Sequence, residues 1–523
     1  MVEEGYDHSK RWWTLVVLCL SLVIVVVGNT VLNVALPTLV RELDASNSAL
    51  QWMVDSYALV FAGLLLTAGA LGDRFGRKGA LQAGLIIFGV ASTIAAFAGT
   101  SGQVVALRAV MGIGAALIMP ATLSILTNVF PPHERAKAIA IWAGLAGAGA
   151  AIGPVASGFL LEHFWWGSVF LVNVPLVLSA LIAGRFLVPT SKNPNTEPLD
   201  PVGAGLSIVG LSGVLYGIIE GPTHGWTSAA TLGPLLAGLA VLVAFGVWEL
   251  RAQHPMLDLR FFKNATFSSA TAAINLVFFA MFGTFFLLTQ YLQLVLGYSA
   301  LEAGIRMLPM PFAMMIAAPS SAKFVEKFGS RKVVSNGLLL LGLGLLLLAQ
   351  SDVDTPYWHL VASIVTMAIG MGLSMAPSTT GIMASLPLRK AGVGSAVNDT
   401  TRELGGALGV AVLGSLLASK FTAALPASIA QLPEAAQTAI RSSLGGAIGV
   451  ARSLPPATGG PLEAAAKGAY ADAMSIAMVG AAIVVLATAV MVRRFYPDRL
   501  VMHDAAHGHA AAPHPVPVEP SAA

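Results

Sequence analysis

The sequence predicts an all-α membrane protein with fourteen transmembrane helices; a repeated charged turn, taken up below, divides them into two six-helix bundles with two extra helices between them. Three observations predict the class and the count. The 523-residue chain is 56% hydrophobic and only 11% charged, with a mean hydropathy of +0.77. That leaves too little polar surface to cover a soluble globule of this size. Apolar stretches of about 20 residues, the length that crosses a bilayer as a helix, recur along the chain. Lys and Arg, finally, fall in alternate connections between those stretches, as the positive-inside rule requires.

The spans follow in order. The first, 12–36, is too long for a signal-peptide core and no small-residue cleavage site follows it; it reads as a retained helix behind a cytoplasmic segment, 1–11. Spans 49–71, 79–98, 103–127, 136–161 and 168–188 complete an N-terminal bundle over 12–188. A linker over 189–264 carries the two extra spans, 201–219 and 229–250. The C-terminal bundle, 265–495, contains spans 265–293, 301–320, 332–350, 357–383, 393–418 and 469–492. Its long external loop, 419–467, is rich in Ala, Ser, Pro and Gly, with short amphipathic pieces suited to the membrane surface. The tail, 496–523, is rich in Ala, Pro and His and reads as a disordered cytoplasmic segment.

One set of connections carries Arg74, Arg77, Lys78, Arg135, Lys137, Arg251, Arg260, Lys323, Lys327, Arg331, Lys332, Arg493 and Arg494, while the opposite short loops carry Arg41 and little else. Both termini are therefore expected in the cytoplasm of a multi-pass plasma-membrane protein. Trp12, Trp13, Trp165, Trp166, Trp226, Trp248 and Trp358 lie near expected helix ends, where an aromatic belt belongs. The net charge of +3 gives no reason to expect nucleic acid as a partner, and Cys19, alone, supplies neither a disulfide nor a cysteine metal site. No GxxxxGK[ST] motif is present, so direct ATP drive is not expected. No span carries the clustered nucleophile and base, or the metal ligands, that an enzyme needs. No cofactor or metal is expected.

Four charges sit within six positions in "GALGDRFGRKGAL", Gly69–Leu81. "DRFGRK" at Asp73–Lys78 reads against "EKFGSRK" at Glu326–Lys332, each with an acid, a base, Phe-Gly and a basic pair. With the two linker spans set aside, each copy follows the second span of its bundle, as a six-plus-six internal repeat requires. The stretch resembles the loop motif of the major facilitator superfamily. "NTVLNVALPTL", "LRAVMGIGAALIMPA" and "GAGAAIGPVASGFL" resemble signatures of spans 1, 4 and 5 in its fourteen-helix drug:proton antiporters. "LTQYLQLVLGYSALEAGIRMLP" and "VNDTTRELGGALGVAVLG" resemble that family's second half. The resemblance implies the major facilitator fold and a secondary transporter driven by the proton gradient.

It also assigns expected roles. Gly72, Asp73, Arg74, Gly76, Arg77 and Lys78 form a cytoplasmic gate: a carboxylate at a helix junction that bonds an arginine or a helix N-terminus in one conformation biases the equilibrium between conformations. Gly149, Gly153, Pro154 and Gly158 form the span 5 antiporter motif, small residues that admit a close helix neighbour and a proline that permits a bend. Ionisable residues inside spans are costly and mark function. Asp55 and Arg108 lie at similar depth toward the outer side, with Arg108 expected to tune Asp55. Asp399, Arg402 and Glu403 share one helix face at i, i+3 and i+4. These five are the proton-coupling candidates. The sequence departs from the family at Gly28, where relatives often carry an Asp, and at Met111, where a glutamine is usual. Asn33, Trp52, Tyr57, Asn275, Phe279, Gln290 and Gln293 are candidate linings of a substrate cavity, with Met307, Met310, Met314 and Met315 as an adaptable wall. The expected function is proton-coupled export of amphipathic small molecules such as drugs, dyes or antibiotics, by a monomer. Export of one endogenous metabolite is the alternative, and a passive channel or membrane enzyme is disfavoured.

Overall fold

A computed structural model describes residues 10–191, 200–386 and 391–498. Part of the linker (192–199), the connection 387–390 and the tail from 499, with its histidines, lie outside the described residues. The expected all-α membrane architecture is borne out. The N-terminal half comprises α1 (Arg11–Leu43), α2 (Asn47–Phe75), α3 (Arg77–Ala95), α4 (Ser101–Val129), α5 (Pro132–His163) and a sixth span split into α6 (Ser168–Leu171) and α7 (Asn173–Leu187). The extra pair is α8 (Pro201–His224) and α9 (Ala229–Arg251). The C-terminal half comprises α10 (Ala265–Gln290), a span broken into α11 (Ala300–Arg306) and α12 (Pro309–Phe328), α13 (Ser330–Leu348), α14 (Tyr357–Ala384) and α15 (Ala391–Ala424). Then come the short α16 (Glu434–Ser442) and α17 (Leu444–Ser453), and finally α18 (Pro456–Phe495). Thirteen helical stretches among the described residues are long and apolar enough to cross a membrane. The 32-residue α5 stands at the remaining expected position and, at 1.5 Å per residue, reaches about 48 Å, also enough to cross.

The break in the tenth span, the second of the C-terminal half, falls before Pro309, which begins α12 at the first helical position, where a missing N–H costs nothing. The first helix runs past the expected end at 36, through Pro37, to Leu43. The last begins well before 469, at Pro456, so part of the expected external loop is an extension of that helix. The rest of the loop is not all surface-lying: Leu444, Ala447 and Ile448 of α17 and Ile440 of α16 are buried, with α17 packed on α1 and α18 and α16 packed on α17.

The internal repeat is visible in the packing. In the first half α1 pairs with α5, α2 with α4 and α3 with both α4 and α7; in the second, α10 pairs with α15, α12 with α14 and α13 with both α14 and α18. The two charged turns repeat a backbone contact as well. The Arg77 N–H donates to the Ser191 carbonyl (3.0 Å), after the sixth span of its half, and the Ser330 N–H donates to the Asp498 carbonyl (3.0 Å), after the sixth span of the other. Both turns pivot on a glycine at positive φ, Gly76 (124°) and Gly329 (84°), which a side chain would strain.

The halves meet along α2 and α15 and along α5 and α11, and α8 packs into the first of these seams while α9 lies outside it. Apolar residues such as Val243 of α9 and Phe186 of α7 face outward, as lipid-facing positions do.

Candidate functional site

Where the halves meet, the α5 glycine row explains the close approach. A Cβ on Gly153 would lie 2.0 Å from Thr30 Oγ1, and one on Gly149 touches Val26, so these two glycines seat α5 on α1. A Cβ on Gly158 would lie 2.5 Å from Leu301 Cα and 2.6 Å from the Ala300 carbonyl oxygen, and one on Gly304 would lie 2.5 Å from the Pro154 carbonyl. Pro154 and Gly158 therefore let α5 touch α11 backbone to backbone, across the two halves.

The second seam is polar. At the start of α2, Asn47 donates to the Gly414 carbonyl (3.3 Å), and the Gln51 amide donates to the carbonyls of Val410 and Ala411 (both 3.0 Å) and to Ser415 Oγ (3.3 Å). Gln293 in turn donates to the Val34 carbonyl of α1 at 2.9 Å. These ties between halves lie at the end of the bundle opposite Asp73. Gln293 also lines a cavity of about 420 Å³ at that end, with Arg41, Glu42, Glu162, Trp165 and Trp166.

Asp55 is one turn beyond Gln51 on the same face of α2, since 47, 51 and 55 repeat at i+4. That puts it on the face turned to α15, about 12 Å from the helix start. It is 0% exposed and neither carboxyl oxygen has a hydrogen-bond partner. Arg108 is also 0% exposed but turns elsewhere. Its Nε donates to the Met53 carbonyl (3.0 Å), its Nη1 to the Gly28 carbonyl (2.9 Å), and its guanidinium carbon sits 4.3 Å from the Tyr57 ring centroid. Asp55 and Arg108, the one expected to be tuned by the other, share no hydrogen bond. Arg108 instead fastens α1 and α2 to α4, leaving Nη2 and the Tyr57 hydroxyl unpartnered. Gly28 gives up its carbonyl to this arginine and its side-chain space to Phe88, whose Cζ would lie 2.5 Å from an added Cβ. Met111, at the other departure from the family pattern, is fully buried.

Facing Arg108 from the other half is the polar face of α15. Asp399 and Arg402 approach to 3.8 Å. Arg402 also donates from Nη2 (3.2 Å) and Nε (3.3 Å) to the Asn398 amide oxygen, oriented so that its nitrogen donates to Thr379 of α14 (3.1 Å). The arginine lies 5.4 Å from the Phe278 ring. Glu403 is close enough to interact electrostatically with Arg108 and Tyr57 across the divide, as well as with Asp399 and Arg402. Asp399, Arg402 and Glu403 are only partly buried, unlike Asp55.

The other cavity candidates scatter. Asn33 is buried with its amide oxygen unpartnered. Asn275 donates to the Thr401 carbonyl (3.2 Å), and the Phe279 backbone touches Gly409. Gln290 folds back on the Phe286 carbonyl of its own helix. Trp52 points to the extra helix: its indole N–H donates to Glu220 of α8 (3.3 Å) and its ring lies 6.3 Å from Tyr216. Met307 and Met310 are buried, whereas Met315 faces outward. The sequence reading missed Gln51 and Glu220. Gln51 had a signal, a polar amide in an apolar span; Glu220 had the same signal as Asp55, a carboxyl near the end of one.

At the Asp73 end the charged turn bonds within its own half. Arg77 Nε pairs with Asp73 Oδ1 at 2.6 Å and Arg77 Nη1 reaches the Ser124 carbonyl at 3.4 Å. Lys78 Nζ donates to the Arg185 carbonyl (2.8 Å), and Arg74 lies beside Phe75. A Cβ on Gly72 would sit 3.2 Å from Ala80. The matching turn likewise keeps to its half, with Arg331 bound to Asp498 (3.4 Å) and to the Tyr496 carbonyl.

Known proteins share this plan. The chain is 37% identical to the multidrug efflux pump LfrA of Mycolicibacterium smegmatis, over 92% of this chain and 96% of that one. It is 36% identical to the methyl viologen resistance protein SmvA of Salmonella typhimurium, over 92% and 97%. To the tetracenomycin C resistance and export protein of Streptomyces glaucescens it is 31% identical, over 94% and 93%. A solved bacterial homologue of the human lysosomal transporter Spinster has the same fold, with a TM-score of 0.67 at 18% identity, covering 94% of this chain and 98% of that one. Residues 18–410 match the Major Facilitator Superfamily model. With two repeated six-span halves and a match over most of its length, the chain belongs to the major facilitator superfamily, a family of membrane transporters.

Proposed function

We propose that this protein is a proton-coupled secondary exporter of amphipathic small molecules, cationic or neutral, across the plasma membrane, working as a monomer with both termini in the cytoplasm. The observation that carries the reading is Asp55: a carboxyl group sealed without a partner, on the helix face where the two halves meet. An ionised carboxylate left without a donor in such surroundings is costly, and the neutral acid is the form the site tolerates. A group that is acceptable there only with its proton, and that water reaches when the seam opens, is a proton carrier.

Positive-inside orientation puts Asp73 on the cytoplasmic side. The ties through Gly158, Gln51 and Gln293 then belong to an outer closure, and the conformer described is shut to the outside. On opening outward, Asp55 takes a proton. In the inward-facing state, substrate entering near Arg108, Tyr57, Glu403 and Arg402 opens the seal around Asp55, and the proton leaves to the cytoplasm as substrate binds. Proton and substrate then favour opposite states, and linkage makes the coupling reciprocal. The names of the relatives, for multidrug efflux and for resistance to methyl viologen, support a broad range of substrates. The relative named for tetracenomycin C export favours a second reading, a pump dedicated to one compound.

Everted membrane vesicles given a panel of dyes and antibiotics, with and without an imposed pH gradient, test the proposal. Uptake of several chemically unrelated compounds that collapses with the gradient supports it. Uptake of a single compound selects the second reading, and flux indifferent to the gradient rejects proton coupling.

A further inference from the structure

On α9, a helix otherwise turned to lipid, the buried residues are Thr231, Gly238 and Glu249. A glutamate, 2% exposed, is a strange choice for one of three buried positions on an apolar helix. Its surroundings give it a purpose. Glu249 Oε2 accepts from the Leu257 N–H (2.8 Å), in the connection that leads to the second half. Its Oε1 is buried and has no partner. That orphaned oxygen faces a second carboxyl group: a Cβ built on Gly203 would lie 2.5 Å from Glu249 Oε1 and 2.6 Å from Asp200 Oδ2, so both oxygens converge on the same point.

Asp200 is fixed there by other bonds. It caps the start of α8 by accepting from the Gly203 N–H (2.8 Å), and both its oxygens accept from the Trp248 indole N–H at 3.0 Å. Gly203 supplies the room, since any side chain would be driven between the two carboxyls. The charged groups facing Glu249 are Asp200, from the entry to α8, and Asp258, from the connection after α9. Both are acids. Among the described residues no lysine or arginine forms an ion pair with Asp200 or Glu249.

Two ionised carboxylates brought together in a buried site repel, and a buried acceptor aimed at another acceptor is a lost hydrogen bond. One proton between them removes both problems, turning the missing partner of Oε1 into an O–H···O⁻ bond, among the strongest kinds in proteins. We propose that Asp200 and Glu249 form a second proton-binding site, in which one shared proton fastens the entry of α8 to the end of α9 and, through the Leu257 N–H, to the connection into the second half. When the pair ionises, the proton leaves to solvent and the two carboxylates part. The site is separate from Asp55 and does not depend on the transport reading. It gives the extra helix pair a pH-sensitive clasp at the Asp73 end of the bundle.

The test uses the purified full-length protein. Infrared spectra across about pH 5 to about pH 9 should contain a protonated-carboxyl band that is lost in E249Q. The glutamine amide can donate to Asp200 as the shared proton does, without ionising. The melting temperature of the wild type should therefore fall as pH rises through the titration of the pair, while that of E249Q stays flatter. The sign follows from linkage: a native state that keeps a proton the unfolded chain has lost is weakened as pH rises. If E249Q fails to fold, D200N serves as the second variant, with the same loss of pH dependence expected. Identical infrared bands and identical pH profiles in wild type and variant overturn the proposal. So does a wild-type melting temperature that rises with added potassium or calcium at fixed pH and ionic strength but not in E249Q, since the pair would then hold a metal cation.

Discussion

Arg108 spends its donors on two backbone carbonyls, Met53 and Gly28, and stacks on Tyr57; its first job is to hold three helices together. Lysine is a point charge and cannot span both carbonyls in a fixed fork. Arg108→Lys should cost about 1–3 kcal/mol of stability through a lost buried hydrogen bond, read as a lower melting temperature in detergent. Gly28→Asp, which would restore the carboxyl often seen in relatives, meets the Phe88 ring at 2.5 Å. It should destabilise by about 1–3 kcal/mol through overpacking, and a further change of Phe88 to alanine should recover part of that loss in the same assay. That Asp55 and Arg108 are ionisable residues set inside apolar spans was legible in the sequence, because such a residue stands out without any structure. Where they point was not. Spans apolar on every face carry no pattern that fixes their rotation, so the sequence paired Asp55 with Arg108 by depth and left Trp52 beside the substrate, when its indole N–H bonds Glu220 of the extra helix.

Helix α5 and helix α11 touch through glycine, and α2 and α15 through a glutamine amide. On the proposed transport reading, each contact belongs to the outward-closed conformer and so controls how often that conformer is visited. Gly158→Leu should drive a side chain into the backbone of Leu301 and Ala300, prevent closure at that end and abolish transport, while cysteine labelling near Gln293 rises. Gln51→Ala removes donors to Val410, Ala411 and Ser415. At about 0.5–1.5 kcal/mol for each hydrogen bond, it should shift the population toward the outward-open state without stopping transport, seen as increased labelling in the same assay. Span number and order were legible because length and hydropathy alone set them. The breaks at Pro309 and Asn173 and the early start of α18 were not, because they answer to neighbouring helices. The glycine row of α5 was legible as a close contact; its partner was not, since a small residue does not name the helix that approaches it.

Taken whole, the molecule is two copies of one plan, with like pairs of helices packed in each half and like turns tied back to the end of their own half. On the proposed reading, such a construction moves as two bodies about a central site. Asp73 belongs to this scale. In the conformer described it pairs, among the described residues, with Arg77, four residues on, at a partly exposed position, where such pairs are worth about 0–1 kcal/mol. Asp73→Asn should therefore leave folding unchanged but slow transport roughly tenfold, a change of about 1.4 kcal/mol in the barrier, if the contact it makes on closing that end is what matters; an unchanged rate would reduce the turn to a topogenic charge cluster. The central claim is that Asp55 carries the proton, and one paired measurement tests it most directly. Everted vesicles holding wild type or Asp55→Asn are compared for substrate uptake driven by a pH gradient and for substrate counterflow without one. The account predicts that Asp55→Asn loses gradient-driven accumulation while counterflow survives, because exchange of substrate for substrate moves no net proton. Full gradient-driven accumulation by Asp55→Asn would contradict it and pass the proton to Asp399 or Glu403.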